Sequence, residues 1–437
     1  MIDLTLVRRS VGSEIMKITR VAFSGPFVLL IYSRLLLALV LLALSGASIT
    51  SVASAQALPS VIAKTFTEEA KLIPPLNDTH TQFGHALSLS GNRALIGAYL
   101  GGDTIGHAYI FVFDGTTWTL EADLAPSDGT AGDLFGFSVS LSGNHALIGA
   151  QGHGDSGAAY VFAFDGVAWT QQTKLASPIG GVAFGSSVSL SGDLALVGDP
   201  NINDTTGAAY IYSFNGVTWR QRAKLIASDA AEGDYFGSSV CLSDGRAVVG
   251  ASRYLSSRTG ALYVFTKNGA TWTQEAELTA SDGVANDGFG FNVALSGDRV
   301  LAGAQFATTR FAQAGTAYVF AFDGTTWNQQ AKLVAPDSMA NDLFGYSVSL
   351  LGDRALVGAI GNVGNGNNSG AAYVFTFDGA TWSPQAKLIA SDGAAFDFFG
   401  SAVSLSTNRA LIGAPDNVGN GNNSGAAYIF ERNHEQR

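Results

Sequence analysis

Ten aspartates are the residues in this chain best spaced to do chemistry together. They come in pairs five positions apart: Asp128 with Asp133, Asp229 with Asp234, Asp282 with Asp287, Asp337 with Asp342, and Asp392 with Asp397. Each pair stands just before a Phe-Gly dipeptide. Such a set can form a ring of carboxylates that binds cations or a basic partner. Alternatively, each aspartate accepts backbone N–H bonds and fixes its own loop, and duplication has copied that device into every repeat. The second reading is preferred. The pair is missing in Ser177-Pro-Ile-Gly-Gly-Val-Ala-Phe184, and only Asn77 and Asp78 stand near the first Phe-Gly.

Other reactive groups are sparse. The six histidines (His80, His85, His107, His145, His153 and His434) form no His-x-x-x-His or His/Cys cluster that suggests zinc. There is no Gly-x-Ser-x-Gly elbow and no phosphate-binding loop. Cys241 is the only cysteine, so no intrachain disulfide can form, and it reads as a small core residue in a serine register. Segments 361–370 and 416–425 share Asn-Val-Gly-Asn-Gly-Asn-Asn-Ser-Gly. They are rich in side-chain oxygens, carry one carboxylate or none, and each holds an Asn-x-Ser sequon, at Asn367 and Asn422.

The elements that must position these groups are repeats. Phe-Gly begins at Phe83, Phe135, Phe184, Phe236, Phe289, Phe344 and Phe399, and a glycine follows 14 residues after each phenylalanine, at Gly97, Gly149, Gly198, Gly250, Gly303, Gly358 and Gly413. A spacing that holds while the flanking loops vary marks a rigid unit. Ser138-Val-Ser-Leu-Ser142 alternates as a strand does. A Ser-Gly-Asn or Ser-Gly-Asp turn, a short Ala-Leu-Ile-Gly strand, a Gly-Ala-Ala-Tyr-Val-Phe strand, an Asp-Gly or Asn-Gly hairpin signal and a strand opening on tryptophan complete the unit. Four short antiparallel strands per 49 to 55 residues describe one blade of a propeller. The tryptophans and the Phe-Gly phenylalanines read as packing residues between blades.

Counting settles how the ring should close. Tryptophan opens the fourth strand six times against seven Phe-Gly units, and the last copy stops at Ala426-Ala-Tyr-Ile-Phe430. Phe66-Thr-Glu-Glu-Ala-Lys-Leu72 matches Trp327-Asn-Gln-Gln-Ala-Lys-Leu333. The N-terminal segment is therefore expected to supply the outer strand of the seventh blade, giving an all-β seven-bladed propeller of four-stranded blades over residues 58–432, with a tail at 433–437.

Residues 1–57 read as an export signal or an N-terminal anchor: a basic region (Arg8, Arg9, Lys17, Arg20), an apolar run from Leu35 to Leu44, and Ala-x-Ala sites at 53–55 and 55–57. The uncleaved alternative has Phe27–Leu44, interrupted by Arg34, spanning a bilayer. Without this leader the chain carries 19 basic and 33 acidic residues, a net −14. An acidic chain with no basic stripe is not built for nucleic acid or an anionic membrane surface.

The pattern resembles the FG-GAP repeat, the unit of the integrin α-subunit propeller and of many secreted bacterial proteins. Gly413-Ala-Pro415 matches the second half of that name, whereas other copies depart at the third position, as at Tyr99, Gln151, Ser252, Gln305 and Ile360. The resemblance implies a non-catalytic platform for protein or cell–matrix binding. Integrin blades often carry an Asp-x-Asp-x-Asp-Gly calcium loop between the first two strands. Here that connection is a tight turn such as Ser296-Gly-Asp298, too short to supply six or more oxygens, so the family's calcium sites do not carry over and no cofactor is expected, with calcium at the oxygen-rich segments 361–370 and 416–425 as the alternative. In an up-and-down blade the 2–3 and 4–1 connections share one face, and that face holds nearly all the variation in this chain. The reading is a secreted or surface-held, monomeric scaffold for a protein or glycan. The alternatives are a carbohydrate-active enzyme with carboxylates near the axis, and a structural module without a specific ligand.

Overall fold

A computed structural model describes residues 66–433, apart from 76–80, 102–103, 179, 181–182, 244, 254–256 and 419–422. The leader (1–57), the expectations placed on Asn77, Asp78, His80, Asn422 and His434, and the tail beyond Asn433 lie outside the described residues.

Seven four-stranded antiparallel sheets follow one another along the chain. Blade 2 shows the plan: Phe135–Ser142, His145–Ala150, Ala158–Phe164 and Trp169–Ala176, innermost to outermost. Blades 1 and 3 to 7 are named by their Phe-Gly units in the same order. Blade 7 takes three strands from the C-terminal end (Val403–Leu405, Arg409–Ala414, Ala426–Arg432) and its outer strand from Phe66–Leu72. That strand pairs along its length with the third, from Phe66 opposite Arg432 to Leu72 opposite Ala427. The closing strand is where counting placed it.

The fixed 14-residue spacing has a backbone cause. A Cβ built on Gly149 of blade 2 would stand 1.9 Å from the carbonyl oxygen of Gly185, the Phe-Gly glycine of blade 3. The same approach recurs at every junction, and at the seam Gly413 would meet the Gly84 oxygen at 1.9 Å. Only glycine permits it. Each Phe-Gly phenylalanine is buried. In the junction between blades 1 and 2, Phe135 packs with Leu95 and Ile110 of blade 1 and with Tyr160 and Phe162 of its own blade.

Inner-strand serines join the blades around the axis. Leu141 donates its N–H to Ser88 Oγ (2.9 Å), Leu190 to Ser140, Leu242 to Ser189, Leu405 to Ser349 and Leu89 to Ser404. Cys241 occupies the same register, accepts from Leu295 at 3.3 Å, and has its thiol pKa pushed up by burial. It is a stand-in for serine.

Tryptophan packs at the outer edge of the core between blades, with Trp219 buried in it and the other copies half-buried against it. Trp169 donates its indole N–H to Glu121 of blade 1, and Arg93, held by Glu121 through two bonds of 2.6 and 2.7 Å, covers the neighbouring Phe164 ring. At the seam Arg409 holds Glu69 of the N-terminal strand in the same way and covers Phe113 of blade 1. The Asp-Gly signals end in four-residue loops rather than two-residue hairpins: Phe113 pairs with Trp118, and Asp114 accepts the N–H groups of Thr116 and Thr117. A two-residue turn forms in blade 4, where Asn268 pairs with Thr271.

Candidate functional site

Each aspartate pair sits in a 4–1 connection, and its two members do different work. The second member is buried in every pair: Asp133, Asp234, Asp287, Asp342 and Asp397. Each accepts the backbone N–H three residues earlier, at 2.8 to 3.1 Å, from Thr130, Ala231, Val284, Met339 and Ala394. This closes the loop just ahead of a residue forced into the left-handed region, as at Leu134, Tyr235, Leu343 and Phe398, with φ between 53° and 58°. The first member reaches sideways. Asp128 accepts from Tyr160 Oη (2.9 Å) and Lys174 Nζ (2.8 Å), which stand on the third and fourth strands of the same ring position. Tyr318–Asp282–Lys332, Tyr373–Asp337–Lys387 and Tyr428–Asp392–Lys71 repeat the motif. In blade 4 arginines replace lysine, and Arg253 and Arg258 both grip Asp229 and Asp234.

A third group, from the 2–3 connection, locks the two loops together. His153 sits with Nδ1 2.7 Å from Asp133 and Nε2 2.6 Å from Lys174. A neutral ring that donates from Nδ1 and accepts at Nε2 satisfies both contacts. Asn362 donates to Asp342 and accepts from Lys387, and Asn417 donates to Asp397 and accepts from Lys71. Burial opposes the charge on Asp133, but His153 and the N–H and hydroxyl of Thr130 outweigh it and hold the carboxyl below its ordinary pKa. The Lys174 ammonium does the same for Asp128. His153, Asn362 and Asn417 stand four residues after their closing glycines, and Arg253 stands three after Gly250. That register was the available signal, and the variation between His, Asn and Arg hid it.

Blade 3 lacks the pair and its chemistry is rearranged. Asp199 replaces the closing alanine, is fully buried beside Tyr210, and accepts a 3.2 Å bond from Ser177 Oγ, while its Oδ1 has no partner in hydrogen-bond range among the described residues. Burial pushes its carboxyl up to about 6. An acid raised in the folded state favours folding most when protonated, so this group's contribution falls as pH climbs from about 4, its unfolded value, through about 6. Asp199→Ala restores the alanine of the other blades. It should raise stability at pH 7 by at most about 3 kcal/mol and flatten the melting temperature between pH 4 and 7. Thermal melts across that window check it; an unchanged pH slope would contradict the assignment.

The channel along the ring axis has a volume of about 420 Å³. It is lined by the starts of the inner strands, so it opens on the face of the 2–3 and 4–1 connections. The residue following Phe-Gly is serine in three blades (Ser186, Ser238, Ser401) and a ring in four (His85, Phe137, Phe291, Tyr346). Among the described residues, no carboxylate lines the channel. A second cavity of about 370 Å³ lies on the same face in blade 5, between Val284–Asp287 and Phe306, Thr308 and Gln313. Among the described residues, no three His, Cys, Asp or Glu side chains gather as they would to hold a metal ion.

A family pattern described as the FG-GAP repeat matches residues 66–111, 118–162, 169–212, 219–265, 272–320, 327–375 and 382–430, most of the chain. The chain belongs to the FG-GAP repeat family. Each matched FG-GAP segment opens on the outer strand of one blade and ends in the third strand of the next, so the repeat of the pattern is offset from the blade by one strand. The FG-GAP propeller fold is consistent with a binding scaffold. No curated protein matches the chain. No described helix is long and apolar enough to cross a membrane.

Proposed function

We propose that this FG-GAP propeller is a non-catalytic, extracytoplasmic scaffold that recognises a protein or glycan through the face built by its 2–3 and 4–1 connections. The observation that carries this reading is where apolar surface stays exposed. Val284, Phe291, Phe311, Met339, Val363 and Phe396 all lie in those connections or at the strand ends beside them, whereas Leu120, Val167 and Val217 are the large apolar residues exposed elsewhere among the described residues. Apolar side chains gathered on one variable face mark an interaction surface. The aspartate pairs serve it indirectly, because each is engaged by lysine, arginine, tyrosine or backbone N–H and holds its loop in shape. A cation would have to displace Lys174 or its counterparts, so calcium is not required. The apolar run at Leu35–Leu44 and the Ala-x-Ala sites support export.

The test is a screen against a glycan array and secreted proteins, with and without calcium. Binding should fall at least about tenfold in Met339→Asp/Phe396→Asp, persist in Val167→Asp/Val217→Asp, and be indifferent to calcium. Loss in the second variant with retention in the first would overturn the assignment.

A further inference from the structure

The channel mouth differs from the rest of the inner wall. Seven equivalent positions follow Phe-Gly, and duplication alone would fill them alike. Instead rings occupy blades 1 and 2 (His85, Phe137) and blades 5 and 6 (Phe291, Tyr346), while serines occupy blades 3, 4 and 7. The ring order sets the two pairs on opposite sides, separated by blades 3 and 4 one way and by blade 7 the other. Within each pair the rings touch. His85 and Phe137 centroids are 5.0 Å apart, Tyr99 closes on both at 4.6 and 5.4 Å, and Phe291 and Tyr346 are 6.4 Å apart. Between them the Oγ of Ser186 is buried and has no hydrogen-bond partner among the described residues.

We infer that this mouth binds one ring of a neutral saccharide. The inference rests on the binding-scaffold reading and names its ligand class and seat. Aromatic rings on two sides of the channel suit the C–H groups of a sugar ring. A change of rotamer would turn the unpartnered Ser186 hydroxyl into the channel its side chain lines, where it can both donate to and accept from sugar hydroxyls. Among the described residues the lining has no Asp, Glu, Lys or Arg to pair a charged ligand, and burial holds the His85 imidazole near a pKa of about 4, neutral at physiological pH. The volume of about 420 Å³ falls within the range of small-molecule sites.

The experiment is saturation-transfer NMR on the full chain with glucose, galactose, mannose and N-acetylglucosamine as probes, and ethylguanidinium as a cationic control. At least one sugar should receive saturation, and its affinity should fall about tenfold or more in Phe137→Ser and in Ser186→Trp. The first places the serine of three other blades at this register, so the fold should survive; the second fills the mouth. A melting temperature within about 2 °C of the parent confirms folding, and Phe291→Ser replaces any variant that fails this check. Three results would each overturn the inference: no transfer to any sugar, transfer unchanged in the channel variants, or transfer to the guanidinium alone. Glycan-array binding that survives both channel variants but is lost in Met339→Asp/Phe396→Asp would sink the channel seat and leave the scaffold reading standing.

Discussion

Deleting residues 58–75 should leave a protein that melts at least roughly 10 °C below the parent or shows no cooperative transition. The described part of that segment is the outer strand of blade 7. Phe66 and Leu72 are buried there, worth roughly 1.5–3 kcal/mol each. Glu69 holds the arginine that covers blade 1, Lys71 grips Asp392, and Glu68 accepts from Ser391. Removing the strand also exposes the edge of Ala426–Arg432. Against a total stability of roughly 5–15 kcal/mol for a folded domain, this is a large fraction. Differential scanning calorimetry of the two chains measures it, and a truncated protein melting within about 2 °C of the parent would refute closure by the N-terminal strand.

The second large effect is a single methyl group. Gly413→Ala places a Cβ 1.9 Å from the Gly84 oxygen and 2.9 Å from its carbonyl carbon. Both are backbone atoms at the seam, so neither can swing aside. Blades 7 and 1 must separate, which should cost about 3 kcal/mol or more, the upper end for overpacking. Gly143→Ala is the control. Gly143 sits in a hairpin turn at φ 57° with nothing within 4 Å of its Cβ direction, and should cost only the left-handed penalty of roughly 1–2 kcal/mol. Urea denaturation of the two variants separates the cases. Equal losses would mean that the closing glycine is a matter of local conformation and not of blade contact.

These two effects show which parts of the molecule could be read from its residues. The Phe-Gly to glycine spacing was legible because a backbone contact between blades tolerates no other residue and no slip. The closing strand was legible because Phe66–Leu72 repeats an outer strand and the count needed one more. The aspartate pairs were visible as a pattern, but their partners were not. Tyr160 and Lys174 lie 32 and 46 residues beyond Asp128, and only the folded blade brings them to it. The loop locks at His153, Asn362 and Arg253 were hidden by changing residue type and, at Arg253, by a shift of one residue in register. The rings at the channel mouth passed as ordinary strand residues, since a phenylalanine after Phe-Gly looks no different from any other until the axis is formed. Asp199 takes the closing-alanine register, which is buried in every blade, so its burial follows from its place in the repeat.

The central claim is that a fixed repeat builds the ring and that its unequal connections do the recognising. Hydrogen–deuterium exchange on the full chain, with and without the ligand recovered from the binding screen, tests this most directly. Ligand should slow exchange in the connections around 283–288, 305–313, 337–343 and 361–370, and leave the opposite turns at 114–117, 165–168 and 215–218 unchanged. Protection confined to those opposite turns would contradict the claim.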